Sequence, residues 1–137
     1  MAEYEVARWV RTVGNMRATQ AQAVRARRPK DTLPELLAQA WLDEHGIDYQ
    51  PQVEMGVARL DVVVFDRSAG ATCVGWAIQG ERWHEGKYSH DDSKHKQMLN
   101  QVVRGARLVD VVPIWEDDIY QTTAVFEDAM RGYRWRD

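Results

Sequence analysis

Two apolar runs joined by a short turn constrain the fold of this chain more than any other feature. Residues 58–66 read ARLDVVVFD and residues 72–80 read TCVGWAIQG, and both are rich in apolar and β-branched side chains. The segment between them, RSAGA, has the composition of a turn, so the two runs are predicted to pair as a hairpin. Strands that are apolar on both faces need cover on both faces, which favours a sheet that lies between helices.

Helical patterns precede this hairpin. Residues 3–28 carry apolar side chains at helical spacing, and a helix there is predicted to end before Pro29. A second helix is predicted in TLPELLAQAWLDEHG, residues 32–46, where Thr32 and Glu35 have the spacing of a capping box. The change from helical to alternating periodicity after this segment marks the start of the predicted sheet.

The remaining elements complete an α/β pattern. IDYQPQVEM, residues 47–55, is predicted as an edge strand because Pro51 has no N–H to donate. A further strand is predicted over ARLVDVVPIW, residues 106–115, with helices over residues 91–104 and 117–130. The resulting order is helix, helix, strand, strand, strand, helix, strand, helix. It predicts an α/β domain of three layers, with a mixed central β-sheet flanked by helices.

Length and composition are those of a single globular domain. The chain has 137 residues, and its hydrophobic content of 45% is ordinary for a soluble protein. Cys73 is the only cysteine, which excludes an internal disulfide and a cysteine-based zinc cluster. No apolar run approaches the roughly 20 residues that cross a bilayer, and the start MAEYEVARWV lacks a signal-peptide core. We therefore expect a cytoplasmic protein with no membrane partner.

Charge is distributed unevenly along the chain. Residues 1–30 carry seven Lys and Arg against two Glu, a net +5, and the whole chain carries −3, so residues 31–137 carry −8. We interpret residues 1–30 as a basic helical arm and residues 31–137 as the folded domain. Such an arm fits contact with phosphates and an acidic body fits a bound cation, although a solvated helix face explains the arm equally well. The arginines expected to bind nucleic acid are Arg8, Arg11, Arg17, Arg25, Arg27 and Arg28.

Acidic and imidazole side chains fall near the ends of several predicted elements. Glu35 lies in the first turn of a helix, Asp61 lies early in the central strand, and His84 follows the next strand. Asp91 and Asp92 open the helix that comes after it. A carboxylate directly before VVVF is costly to bury unless it is paired or bound to a metal. Asp61 is therefore the residue with the weakest structural explanation.

Each of these residues also has an ordinary structural role available to it. The capping box accounts for Glu35, and one of the two adjacent aspartates suits the N-cap of the next helix. His84, which follows a tryptophan, fits a packed surface histidine. Asp61 can pair with Arg59 or Arg82 instead of a cation. The order of the residues and their place at element ends make a functional interpretation stronger than any one of them does alone.

Four runs together resemble a known nuclease family. They are GIDYQPQVEMGVARLDVVVF, WAIQGERWH, DDSKHKQML and VVPIWEDDI, and the resemblance covers residues 33–120. With these runs the chain resembles the very-short-patch-repair-type endonucleases and their DUF559-like relatives, a branch of the PD-(D/E)XK nuclease superfamily. The resemblance implies a restriction-endonuclease-like fold and an active site of the form E-D-x-H-D.

The resemblance assigns most active-site positions one by one. The helix Glu of the motif matches Glu35, and the strand Asp matches Asp61. The variable position falls at Ala77 or Ile78, which the resemblance implies to bind the metal through a backbone carbonyl. The His of the motif matches His84, which is the implied water-activating residue.

The end of the motif is assigned in the same way, and one departure stands out. The last Asp matches Asp92, with Asp91 as the second choice. The wider superfamily carries (D/E)-x-K on its second strand, where this chain has Ala77, Ile78 and Gln79. The chain therefore lacks that second carboxylate and the lysine. The E-D-x-H-D branch tolerates an apolar side chain there, and Gln79 is expected at most to orient water or phosphate.

The implied function is a metal-dependent DNA endonuclease that hydrolyses phosphodiester bonds. Mg²⁺ or Mn²⁺ is the expected cofactor, held by Asp61 and the carbonyl at the variable position. His84 is expected to act as general base, since an unperturbed histidine pKa lies near about 6.5. Asp92 would orient His84 or the attacking water, and Glu35 would bind a water of the metal shell. The lysines expected to meet phosphates near the cut are Lys87, Lys94 and Lys96.

Two more classes of function stay open at this stage. One is a catalytically inactive nuclease fold that acts as a nucleic-acid-binding or phage structural or assembly module, because (D/E)-x-K is missing. The second is a protein–protein module whose interface carries the six tryptophans. The sequence leaves open whether the DNA substrate is duplex or branched and whether one strand or both are cut. It also leaves open a homodimer, a phage protein partner, and the choice between a bacterial and a phage-infected host.

Overall fold

A mixed five-stranded sheet with helices forms the protein. The structure is a computed structural model, and it describes residues 24–56, 59–66, 71–79, 94–121 and 124–134. The elements in chain order are α1 (Leu33–Glu44), β1 (Tyr49–Glu54), β2 (Arg59–Asp66), β3 (Thr72–Gln79), β4 (Val102–Val103), β5 (Ala106–Trp115), α2 (Glu116–Gln121) and α3 (Ala124–Arg134). Residues 24–27 and 94–98 are also helical. These elements confirm the predicted α/β class.

The sheet has the strand order β1-β2-β3-β5-β4. The neighbours are antiparallel except for β3 and β5, which run parallel. A parallel pair needs a crossover connection, and residues 94–98 form a helical part of the chain between these two strands. The predicted hairpin of β2 with β3 and the predicted edge position of β1 are both confirmed.

Helix α1 begins where the capping box predicts. The backbone N–H and the hydroxyl of Thr32 donate hydrogen bonds of 3.0 and 2.8 Å to Oε1 of Glu35. Pro34 lies in the first turn, where its missing N–H costs nothing because the first N–H groups of a helix have no partner within the helix. The helix ends at Glu44, and Gly46 follows with a φ of 66°. Residues 33–42 are all buried, so α1 packs into the interior rather than lying on the surface.

Two apolar clusters lie on opposite faces of the sheet. Val62 and Val64 belong to one cluster and Val63 to the other, because successive side chains of a strand point to opposite faces. Helix residues from α1, α2 and α3 join the first cluster, where the rings of Trp76 and Phe126 stack 5.7 Å apart. Met98, from helical residues 94–98, joins the second cluster. Each fully buried Val, Leu, Ile, Phe or Met side chain contributes about 1.5–3 kcal/mol to stability.

The predicted helix over residues 91–104 is wrong at its C-terminal end. The described helical residues end at 98, and β4 pairs with β5 in a tight hairpin instead. Its two-residue turn is Arg104 and Gly105, both with positive φ, which is the turn geometry that matches strand twist. The Arg104 guanidinium lies 4.5 Å from the centre of the Phe65 ring and so anchors the turn to β2. The apolar pairs Met98, Leu99 and Val102, Val103 also fit helical spacing, because over so short a run the helical and strand periodicities cannot be distinguished.

The predicted closing helix over residues 117–130 is described as two helices, α2 and α3. Ile119 and Phe126 are fully buried, and Val125 and Met130 pack against the same cluster. The apolar face predicted from the spacing is thus the face that packs inward. In the part of the chain that the structure describes, no helix combines the length and the apolar character needed to cross a membrane.

The end of the predicted basic arm contacts the domain. Val24 is fully buried and forms a small cluster with Leu36 and Ala40 of α1. Arg27 forms an ion pair of 2.9 Å with Asp43 of the same helix. The predicted helix ends before Pro29, since the helical residues described stop at 27. Residues 1–23 lie outside the described part of the chain, so the arm itself stays a prediction.

Candidate functional site

Asp61 lies where strand β2 changes its pattern. Leu60 belongs to one apolar cluster and Val62 to the other, although residues two apart on a regular strand share a face. The regular pairing of β2 with β3 runs from Asp66 only as far as Val62. Beyond it, Oδ2 of Asp61 accepts a hydrogen bond of 2.8 Å from the backbone N–H of Ile78. The Asp61 side chain therefore accepts the hydrogen bond of a backbone N–H that has no partner from the strand ladder at this point.

Gln52 lies at the same level on the neighbouring strand. The pairs on either side of it place Gln52 opposite Asp61, and its φ of 54° is in the left-handed region. Tyr49 packs against the first cluster, whereas Val53 belongs to the second. The side chains of β1 therefore change faces between these residues, as those of β2 do at Asp61. Both strands therefore change faces at the same level, and we call this level, marked by Gln52 and Asp61, the kink of the sheet.

Glu35 completes this group from the helix. It is only 8% exposed, and Thr32 supplies both hydrogen bonds to its Oε1. Its Oε2 accepts a hydrogen bond from Nε2 of Gln52. The carboxyl group of Glu35 also lies close enough to that of Asp61 to raise its pKa. The structure thus brings together the helix Glu and the strand Asp that the sequence singles out, and it adds a glutamine.

Burial is the largest influence on the acidity of Asp61 and raises its pKa to about 6. The N–H of Ile78 opposes this shift, and the neighbouring Glu35 carboxyl strengthens it. Arg59, which is exposed, favours the charged form by its charge, but the hydrogen bond that the Asp61 carboxyl accepts comes from Ile78. Burial and the nearby Glu35 carboxyl thus both favour the neutral form of Asp61, whereas a bound cation would favour its charged form.

Of the two predicted backbone ligands, Ile78 is the better placed. Its N–H points towards β2 and Asp61. In an extended strand the N–H and C=O of one residue lie on the same side, so we expect the Ile78 carbonyl to face Asp61 as well. By the same rule the carbonyl of Ala77 is expected to face β5, with which Ala77 is paired at Pro113. Gln79, the last residue of β3, is half-buried.

Several predicted site residues lie outside the described residues. His84, Lys87, Asp91 and Asp92 fall in the range 80–93. Arg8, Arg11 and Arg17 fall in the range 1–23. Their roles stay predictions. The chain enters the first range directly after Gln79, one residue beyond the N–H that binds Asp61.

Most of the predicted nucleic-acid-binding residues that the structure describes have interaction partners within the protein. Arg28 donates a hydrogen bond of 3.0 Å to Asp31, and Arg27 binds Asp43 at 2.9 Å. Arg25 and Lys96 also have interaction partners, while Lys94 is half-buried at the start of helical residues 94–98. No contact of these groups with Glu35 or Asp61 is found among the described residues.

A small basic cavity lies next to the start of α1. Its volume is about 180 Å³, and its lining residues are Arg27, Arg28, Pro29, Lys30 and Asp31. Asp31 precedes the Thr32 cap, and Glu35 lies in the first turn that follows. The cavity and the carboxyl pair are therefore both tied to the N-terminal end of α1. The acidic group and the positive lining differ in what they attract, a cation in the first case and an anion in the second.

The donor set of the kink suits a hard cation. The available groups are two carboxylates, an amide and a backbone carbonyl, and Mg²⁺ prefers oxygen ligands while it keeps several waters. Within the described ranges, no group of three or more His, Cys, Asp or Glu side chains could hold a metal ion. Glu35 and Asp61 are two carboxylates, and Mg²⁺ commonly takes one or two carboxylates from a protein.

Gln52 is the site residue that the sequence does not reveal. A glutamine in a strand after proline carries no signal for positive φ, since that region favours glycine and, less strongly, asparagine and aspartate. Only the pairing of β1 with β2 places it opposite Asp61.

Compared with known proteins, the chain matches no protein-family model, no curated protein and no solved structure. The resemblance to the E-D-x-H-D nucleases therefore stays a prediction.

Proposed function

We propose that the protein is a metal-dependent endonuclease that hydrolyses phosphodiester bonds in DNA. The observation that carries the proposal is the close approach of the Glu35 and Asp61 carboxyl groups at the kink of the sheet. Two acidic groups that lie close together and are partly shielded from water repel each other when both are charged, so they reduce stability unless a cation or a proton offsets the repulsion. A divalent cation offsets this repulsion and gives the pair a chemical role.

The fold is compatible with the proposal. A mixed sheet with helices is what the restriction-endonuclease-like core implied by the resemblance requires. In this proposal α1 covers one face of the sheet, and helical residues 94–98 cover the other, as in a three-layer arrangement. Asp61 and Ile78 then lie at neighbouring positions of β2 and β3, where the E-D-x-H-D motif needs a carboxylate and a backbone ligand.

The residues divide the chemistry between them. Asp61 and Glu35 hold Mg²⁺ or Mn²⁺, and the Ile78 carbonyl is the backbone ligand. When bound, the cation polarises a phosphate oxygen and makes its coordinated water more acidic. His84 accepts the proton of the attacking water at an imidazole nitrogen, and Asp92 holds the ring in the required tautomer. These two roles belong to residues outside the described ranges and are part of the proposal.

Phosphate binding is assigned to the basic groups of the chain. The cavity lined by residues 27–31 offers guanidinium and ammonium groups beside the start of α1. Arg27 is 56% exposed along its side chain, so it can contact a phosphate while it keeps Asp43 as a partner. Contacts of this kind position DNA without reading its sequence. They also make binding weaker as salt increases.

A cleavage assay on plasmid DNA with Mg²⁺ or Mn²⁺ tests the proposal. We expect wild-type protein to convert supercoiled DNA to nicked or linear forms, and Asp61→Ala and His84→Ala to lose at least about 100-fold of this rate. Asp66→Asn, which changes another carboxylate of the same strand, is the matched control and should cut like wild type. Equal cutting by all four proteins would point to a contaminating nuclease and remove the proposal.

The same assay separates the enzyme from the inactive alternative. DNA binding that persists in a chelator, together with no cleavage of duplex or branched DNA by wild type, would favour a nucleic-acid-binding module on this fold. Cleavage that depends on both the cation and Asp61 would exclude that alternative. Electrophoretic mobility shifts measured beside the cleavage reaction report both outcomes on one preparation.

A further inference from the structure

Gln52 combines two unusual features in one residue. Its backbone has a φ of 54°, a conformation that residues other than glycine rarely adopt within a strand. Its Oε1 atom is buried and has no hydrogen-bond partner among the described residues. A left-handed residue and an unpartnered buried amide oxygen both reduce stability, and such features concentrate at binding and catalytic sites.

The position of this side chain is fixed by its other amide atom. Nε2 donates a hydrogen bond to Oε2 of Glu35, and the strand register places Gln52 opposite Asp61. Oε1 is bonded to the same carbon as Nε2, so it lies beside the Glu35 carboxylate. An unpartnered oxygen beside the Glu35 carboxylate lacks a positive partner.

A purely structural role for the glutamine accounts for only part of this arrangement. Holding Glu35 needs only the Nε2 donor, and it needs neither a buried oxygen nor a kinked strand. Apolar packing does not require an amide, because a buried polar atom without a partner costs stability. A cation accounts for the amide oxygen, since side-chain amide carbonyls are ordinary ligands of hard divalent ions.

We propose that Oε1 of Gln52 is a third protein oxygen ligand of the divalent cation held by Glu35 and Asp61. This assignment rests on the metal site of the proposed function and extends it to a residue outside the E-D-x-H-D motif. The kink of β1 then has a purpose, because it turns the glutamine from the strand ladder towards the carboxyl pair. With the Ile78 carbonyl, the site offers four oxygen ligands and leaves the remaining positions to water and phosphate.

The test measures binding of Mn²⁺ to the full chain without DNA, by the loss of the free Mn²⁺ signal in electron paramagnetic resonance. Gln52→Gly removes the side chain and keeps a backbone that favours positive φ, so the variant should fold. We expect its dissociation constant for Mn²⁺ to rise about tenfold, while its melting temperature without metal is not lowered. Gln50→Gly, two residues away on the same strand, is the matched control and should bind Mn²⁺ like wild type.

A second variant separates a ligand from a residue that only orients Glu35. Gln52→Glu keeps an oxygen at the same place but cannot donate to the Glu35 carboxylate. We expect Mn²⁺ binding at least as tight as in wild type if the oxygen is a ligand. Binding as weak as in Gln52→Gly would overturn the ligand assignment, because the donor would then be the part that matters.

The outcomes also separate the two proposals from each other. If wild type binds Mn²⁺ and Gln52→Gly binds it within twofold of wild type, the assignment of Gln52 is wrong and the metal site of Glu35 and Asp61 survives. If wild type leaves the free Mn²⁺ signal unchanged at millimolar concentrations, the metal site fails and the assignment of Gln52 fails with it.

Discussion

The two ends of strand β2 differ in what their side chains do. Towards its C-terminal end, Val62, Val63 and Val64 alternate between the two apolar clusters and pair with β3 without interruption. Towards its N-terminal end, Asp61 breaks the alternation opposite Gln52 of β1, and both side chains place polar groups in partly buried positions. Apolar burial in the first region is expected to stabilise the fold, and partly buried polar groups in the second are expected to reduce its stability. Such a division is expected when one part of a sheet carries function.

The largest effect is expected in the apolar region. Trp76 is fully buried and lies 5.7 Å from the Phe126 ring and 6.4 Å from the Trp41 ring. Trp76→Ala should lower the free energy of unfolding by about 3–5 kcal/mol, because it removes these contacts and leaves a cavity. Urea denaturation measures the change. A loss below about 1 kcal/mol would mean that this cluster is not the core of the domain.

A substitution at the kink is expected to raise the free energy of unfolding instead of lowering it. The pKa of Asp61 is raised from 3.8 to about 6 in the folded protein, so its protonated form is the favoured one. The stabilisation that comes from protonated Asp61 is complete below about pH 4 and is lost as the pH rises through about 6. Asp61→Asn, which keeps the shape and stays neutral, should therefore stabilise the metal-free protein by about 2–3 kcal/mol at pH 8.

The pH dependence sharpens this prediction. At pH 4 Asp61 is already protonated in the folded state, so Asp61→Asn should change the free energy of unfolding by less than about 0.5 kcal/mol. Asp66→Asn, at the other end of β2, is the control and should show no gain at pH 8. Thermal unfolding at the two pH values measures both variants. A destabilised Asp61→Asn at pH 8 would show that the carboxylate is not a strained group.

Gly75 connects the two regions. A Cβ atom at this position would lie 2.6 Å from Cδ1 of Leu60, which is fully buried next to Asp61. Gly75→Ala should cost about 1–2 kcal/mol, because Leu60 must shift within a filled cluster. Gly46→Ala is not a matched control, since the φ of 66° there adds backbone strain. Chemical denaturation of Gly75→Ala with and without Leu60→Val shows whether a smaller neighbour recovers part of the loss.

The smallest effect is expected at the start of α1. Thr32→Ala removes the hydroxyl that donates to Glu35 at 2.8 Å, while the backbone N–H bond of 3.0 Å remains. We expect a loss of about 1 kcal/mol in unfolding free energy, in line with N-cap replacements in general. Thr32→Ser keeps the hydroxyl and should restore most of it. Equal losses in the two variants would mean that the methyl group, rather than the hydrogen bond, is responsible.

Local signals in the sequence predicted much of the fold. The capping box of Thr32 and Glu35 located the start of α1, and the two apolar runs located β2 and β3. The hairpin of β4 and β5 was missed because Arg104 gives little sign of a left-handed turn before Gly105. Two-residue strands are too short to show an alternating period, so residues 102–103 were assigned to a helix.

The sequence by itself determined the order of the main elements and singled out the two acidic residues that form the pair. Burial, capping and turn preferences act over a few neighbouring residues, so they can be recognised along the chain. Only the tertiary structure decided that Glu35 and Asp61 lie close together, that the Ile78 N–H binds Asp61, and that Gln52 lies opposite. These contacts depend on strand register and on the kink, which pairing between distant segments creates.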